Sequence, residues 1–127
     1  MDLQLKGKRA LVTGSTSGIG WATARELAAE GASVIVNSRS TARLASAVER
    51  IHNEVRDADV DAVQADLSSV EGCLRLIAAA EDVDILVNNL GIFETKPFEQ
   101  IGDDDWLRFF EVNVMSGVRL ARHHLSR

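Results

Sequence analysis

Thr13-Gly14-Ser15-Thr16-Ser17-Gly18-Ile19-Gly20 follows the short apolar run Ala10-Leu11-Val12 and precedes a helical pattern carrying Trp21, Ala24, Leu27 and Ala28. A strand, a glycine-rich turn and a helix in that order make an anion site. The first N–H groups of a helix have no internal partner and lie at the positive end of the helix dipole. Glycines let the backbone come close to a phosphate. The spacing is G-x-x-x-G-x-G rather than the G-x-G-x-x-G of many dinucleotide binders. Three glycines in a turn also fit a plain loop, so the reading depends on what surrounds them.

Outward from this turn, strand and helix alternate. Strand one covers about 9–13. Helix one runs from about Ser17 to Glu30 and ends at Gly31, a C-cap residue. Strand two is Ser33-Val34-Ile35-Val36-Asn37. Helix two begins after Ser40, with Leu44, Ala47, Val48, Ile51 and Val55 at helical steps. Strand three, 60–65, is less apolar, as an edge strand is. Helix three spans about 70–80. Strand four, 83–87, is apolar on both faces after Asp84 and reads as a central parallel strand. After a loop over 91–102, Asp103-Asp104-Asp105 place carboxylates at the start of helix four. That helix sets Trp106, Phe109, Phe110, Asn113, Gly117 and Ala121 on one broad face. The alternation predicts one α/β domain over 1–127, a doubly wound (Rossmann) parallel sheet of order 3-2-1-4 that ends after the fourth helix. Its ligand crevice opens between the carboxyl ends of strands one and four.

Composition narrows the function. The net charge of −5 argues against a general nucleic-acid surface. No apolar run approaches the roughly 20 residues of a membrane span. Met1-Asp2-Leu3-Gln4 leads straight into structure with no signal peptide, and the single cysteine, Cys73, forms no internal disulfide. Both features point to the cytoplasm. Val70, Leu74 and Ile77 share helical spacing with Cys73, which favours burial over reactivity. His123 and His124 have no partner at metal-ligand spacing, so no metal site is expected.

Four further positions carry chemistry. The end of strand two lies about 18 residues past Gly20, where an acidic residue would hold the ribose 2′-OH of NAD. Here the residues are Asn37-Ser38-Arg39-Ser40. The Arg39 fork can pair with a 2′-phosphate and Ser38 can add a hydroxyl, which favours NADP over NAD. The plainer alternative is a surface arginine at the start of helix two. Asp66 ends strand three; its carboxylate can accept from an adenine amino group while the Leu67 N–H donates to the ring, or it is a turn aspartate before helix three. Asn88-Asn89-Leu90-Gly91 ends strand four, where Asn89 can bind backbone or reach a ribose and Gly91 lets the chain turn away. Asn113 in helix four is either a core amide satisfied by backbone or an amide that holds a water for proton transfer.

Taken together, Thr13-Gly14-x-x-x-Gly18-Ile19-Gly20, Asp66-Leu67, Asn88-Asn89-Leu90-Gly91 and Asn113 resemble the short-chain dehydrogenase/reductase family over essentially the whole chain. The resemblance implies that the turn (Gly14, Ser15, Ser17, Gly18, Ile19, Gly20) binds the pyrophosphate and that the position of Arg39 selects NADP. It implies adenine at Asp66 and Leu67, and an adenosine ribose near Asn89. It makes Asn113 the asparagine of a catalytic tetrad with serine, tyrosine and lysine. Members are typically oligomers acting on alcohols and ketones. Two departures stand out. Leu90 replaces the usual alanine and either crowds the nucleotide or packs differently. The chain also has no tyrosine, and family chains are about twice as long, with the serine and the Tyr-x-x-x-Lys pair in the second half. The expectation is therefore an NADP-dependent oxidoreductase present as its cofactor-binding half, inactive alone. A non-catalytic nucleotide-binding or interaction module is the alternative, and a methyltransferase is a weaker one because Arg39 replaces an acidic ribose ligand. An open strand-four edge, or the aromatic face of helix four, is expected to drive self-association.

Overall fold

The computed structural model describes residues 2–126; Met1 and Arg127, the two ends of the expected domain, lie outside the described residues. The elements are β1 (Arg9–Val12), α1 (Gly18–Ala29), β2 (Ser33–Ser38), α2 (Thr41–Glu54), β3 (Asp59–Gln64), α3 (Val70–Ala79), β4 (Ile85–Val87), α4 (Asp103–Phe110) and α5 (Ser116–Leu125). A π turn, Glu111–Met115, joins α4 to α5. All strands pair in parallel in the order β3-β2-β1-β4, as the alternation predicts.

Period-two alternation along the strands divides the core between the two sheet faces. Val12, Val34 and Val36 pack with Ala24, Ala28, Leu44 and Ile51, beneath α1 and α2. Leu11 and Ile35 point the other way, against Leu67, Cys73 and Leu76 from α3 and its approach and Leu120 from α5. The central strand β1 is buried on both faces, with Ala10, Leu11 and Val12 at 0% exposure. Cys73 is free and buried. Burial pushes its thiol pKa up, against a smaller pull downward from the Arg119 guanidinium.

Helix ends follow their capping residues. Ser40 accepts from Arg43 N and Ser69 from Gly72 N, which fixes the starts of α2 and α3. Gly31 (φ 97°) ends α1, with Gly31 N donating to Ala28 O and Ala32 N to Leu27 O.

Two expectations are corrected. Strand four is only 85–87, and all three residues are half-buried rather than central. Its expected first two residues do other work: Asp84 N donates to Arg9 O at 2.8 Å, and the Asp84 carboxylate accepts from Arg9 N at 2.9 Å. A side chain thus takes the N–H that a strand ladder would use. Helix four is not one regular helix but α4, a π turn and α5, and the residues expected on one broad face do not form its buried side. Trp106 and Phe110 are 55% and 52% exposed, and the buried stripe is Val112, Ser116, Leu120 and His124. The π turn resets the helical register, so 3.6-residue spacing carried across it selects the wrong face.

The entry to α3 is the tightest backbone approach. A Cβ on Gly72 would lie 1.6 Å from the Asp66 carbonyl oxygen. Gly72→Ala therefore has to separate α3 from the end of β3. It is expected to lower unfolding free energy by about 3 kcal/mol in urea titration, the upper range for overpacking; a loss below about 1 kcal/mol contradicts this packing.

Candidate dinucleotide site

The turn after β1 is built by hydrogen bonds that its own sequence supplies. Ser15 is fully buried. Its hydroxyl donates to Val12 O at 2.7 Å and accepts from Asn37 N at 2.9 Å, while Ser15 N donates to Asn37 O at 3.0 Å. Ser15 therefore stitches the turn to β2, with its side chain behind the turn. Gly14 and Gly18 have φ of 57° and 59°, in the left-handed region that favours glycine. A Cβ on Gly20 would meet Asn89 Nδ2 at 2.3 Å and Gly14 O at 2.5 Å, so only glycine lets α1 start this close to the strand ends.

The end of β4 is locked onto the same turn. Asn89 Nδ2 donates to Thr13 O and Gly14 O at 3.2 and 3.0 Å, and Thr13 Oγ1 accepts from Asn89 N and Leu90 N, each at 3.0 Å. The Asn89 amide nitrogen is thus spent on the backbone, and Asn89 does not line the cleft. Leu90 does. Its Cα lies 3.1 Å from where a Gly14 Cβ would be, and its side chain also packs on the core beneath.

A cleft of about 270 Å³ opens at these strand ends. Gly14, Thr16 and Ser17 form one wall, Ser38, Arg39 and Arg43 the second, Asp66, Leu67 and Ser68 the third, and Gly91, Ile92 and Val112 the fourth. The start of α1 faces it without a side-chain cap: Ser17 is extended and its side chain makes no capping bond. α2 and α3 both have serine caps, so the first N–H groups of α1 are left available to an outside acceptor. The Ile19 side chain is 80% exposed, which leaves only its backbone to serve the site.

Of the expected residues, the cleft gathers Gly14, Ser17, Ser38, Arg39, Asp66, Leu67 and Gly91. Gly18, Ile19 and Gly20 do not line it; they form the first turn of α1, next to Ser17. Ser15 and Asn89 lie behind the turn as its fasteners. Asn113, expected on a buried face, is exposed, but both ends of its amide are used: Oδ1 accepts from Ile92 N at 2.7 Å and Nδ2 donates to Ile92 O at 3.1 Å. It thereby holds the cleft wall at Ile92. Three contributors escaped the sequence reading. Arg43 adds a second guanidinium from the first turn of α2, three residues after the Ser40 cap. Asn37 is buried and donates to Val63 O and Ala65 O at 3.1 and 3.3 Å, fixing the third wall to the second. Thr13 shows no signal beyond a hydroxyl at a strand end.

The family model described as short chain dehydrogenase matches residues 8–127. The chain belongs to this family. Within it, the uncharacterized oxidoreductase YvaG of Bacillus subtilis is 52% identical over 125 residues, spanning 98% of this chain and 47% of that protein. The uncharacterized oxidoreductase YvrD of the same organism is 46% identical over 130 residues, 100% of this chain and 48% of that protein. Among solved structures, L-sorbose reductase from Gluconobacter frateurii, complexed with NADPH and L-sorbose, superposes with a TM-score of 0.92 at 34% identity, over 99% of this chain and 49% of that one. The chain spans about half the length of the curated relatives it matches.

Asp66 gives the short-chain dehydrogenase cleft a measurable pH signature. Its Oδ1 accepts from Ser68 Oγ at 2.7 Å and from Ser68 N at 3.0 Å. These bonds, the side-chain one first, lower the carboxyl pKa below its ordinary value, with Arg39 adding a smaller attraction. A carboxyl whose folded pKa is depressed contributes stability above its unfolded pKa, near 4, and loses it as pH falls through the folded value. Asp66→Asn is therefore expected to be less stable than wild type at pH 7. The gap should close progressively as acid titrates the carboxylate below pH ~4 in paired thermal melts. A gap that stays constant down to pH ~2 contradicts the assignment.

Proposed function

We propose that this chain is the cofactor-binding half of an NADP-dependent oxidoreductase that transfers hydride between NADP and an alcohol or ketone. One observation carries the reading: a single cleft joins an uncapped helix start to two guanidiniums, Arg39 and Arg43, at the end of β2, with no carboxylate on that wall. The α1 start suits a pyrophosphate, and the paired guanidiniums suit a 2′-phosphate. The NADPH-bound L-sorbose reductase, at 34% identity over the same half, supports the same choice.

In this reading the first N–H groups of α1 bind the pyrophosphate while Gly20 keeps α1 near enough to reach it. Arg39 grips the 2′-phosphate as a planar fork, and Arg43 adds charge. Asp66 accepts from the adenine amino group, and the Leu67 N–H donates to the ring. Asn113 contributes by holding Ile92 against the opposite side of the cleft. The nicotinamide group supplies the hydride chemistry when bound.

Titration of the chain with NADPH and NADH, followed by nucleotide fluorescence, tests this. NADPH is expected to bind at least tenfold more tightly than NADH. Arg39→Ala should remove most of that preference, about 1.4 kcal/mol or more, by weakening NADPH alone. Equal or tighter NADH binding overturns the Arg39 assignment.

The same proposal includes self-association. β4 pairs on one side only, and Phe98, Trp106, Leu107 and Phe110 are exposed along the loop and helix beyond it. Sedimentation velocity at tens of micromolar (roughly the range in which exposed edges and apolar faces associate) is expected to show species larger than a monomer. A clean monomer across that range contradicts it.

A further inference from the structure

The π turn between α4 and α5 is held by residues that no part of the cleft uses. In a regular α-helix the Ser116 N–H would serve the Val112 carbonyl. Here it donates one residue further back, to Glu111 O. The buried Ser116 hydroxyl donates to Val112 O instead, at 2.7 Å. A second contact spans the turn. Arg119 Nη2 lies 2.9 Å from Glu111 Oε2, and the Arg119 side chain is only 15% exposed. Eight residues of straight α-helix make about 2.2 turns and would leave these two side chains about 80° apart. The wider π turn takes up that offset, so the ion pair belongs to the π register. Arg119 and Cys73 line the same space between α5 and α3. Between the two ends of the Glu111–Arg119 brace, Asn113 bonds both backbone groups of Ile92.

We infer that Glu111 and Arg119, with Ser116, are positioning residues that hold the π turn in the register presenting Asn113 to Ile92, and so set the cleft wall at Gly91 and Ile92. Its effect on cofactor affinity rests on the reading of the cleft given above; its effect on Ile92 does not. Loss of the brace lets the turn relax toward α-helical register. That rotates Asn113 away from Ile92 and frees the Ile92 amide, which donates to Asn113 Oδ1.

The test is amide hydrogen exchange at Ile92 in the 127-residue chain, with Ile35 in β2 as an internal reference. R119M and E111Q are each expected to accelerate Ile92 exchange about tenfold relative to Ile35. R119K, which keeps the charge, should recover most of the protection. V48A, which thins the opposite core face, should lower the melting temperature and leave the Ile92 to Ile35 ratio at its wild-type value. Should R119M not fold, E111Q and S116A carry the same expectation from the other parts of the brace. Wild-type Ile92 protection in E111Q and S116A overturns the proposal. So does an equal change in V48A, which would make the effect one of stability alone. NADPH titration of E111Q separates the two readings. Faster Ile92 exchange with NADPH affinity several-fold weaker supports both. Faster exchange in a chain that binds no NADPH even as wild type supports the brace and removes the cofactor assignment.

Discussion

The cross-link between the ends of β1 and β4 is the constraint on which the cleft depends. Thr13 Oγ1 receives two amides from the β4 exit, and Asn89 returns two hydrogen bonds to the backbone of the glycine turn. The strand ends thereby satisfy one another, as buried backbone groups must. What remains unsatisfied is directional: the start of α1, which Gly20 brings close to the same junction. The start of α1 stays open while the strand-end donors beside it are engaged with one another.

That arrangement separates two tasks that neighbouring residues divide between them. Ser15 and Asn89 are polar, close to the cleft and occupied by backbone, and Asn37 lines it with its amide bound to backbone. Ser17, Arg39, Arg43 and Asp66 line it. Net charge places no strong positive field over the molecule as a whole. Local attraction for an anion comes instead from two guanidiniums and a helix terminus converging on a small volume, where short distance and partial shielding from water matter more than total charge.

Much of the architecture was legible because it rests on local and periodic signals. The alternation of apolar strands with helices predicts the sheet order, and Arg39, Asp66, Gly14 and Gly91 line one cleft at the strand ends. Three kinds of feature were not legible. Ser15 carries the residue type of a ligand contact, and only the approach of β2 shows that backbone claims it, whereas the backbone role of Asn89 is open in the sequence. The last helix reads as one element because a π turn is a shift in hydrogen-bond partner with no propensity signature, and periodicity carried through it groups Phe109, Asn113 and Gly117, whereas the buried side chains are Val112, Ser116 and Leu120. Gly72 reads as an ordinary weak helix residue until the Asp66 carbonyl is seen against it.

The Thr13–Asn89 junction joins residues 76 positions apart, whereas β1, the turn, α1 and β2 are contiguous in sequence. Contacts of long sequence separation carry the larger loop-closure entropy. Two walls of the cleft can therefore form from a short continuous segment, while the wall at Leu90 to Ile92 arrives only when β4 docks. A ligand that touches both would report on the order of assembly, and would shift the balance toward the docked sheet by mass action. In such a chain the last step of folding and the first step of binding share one set of hydrogen bonds.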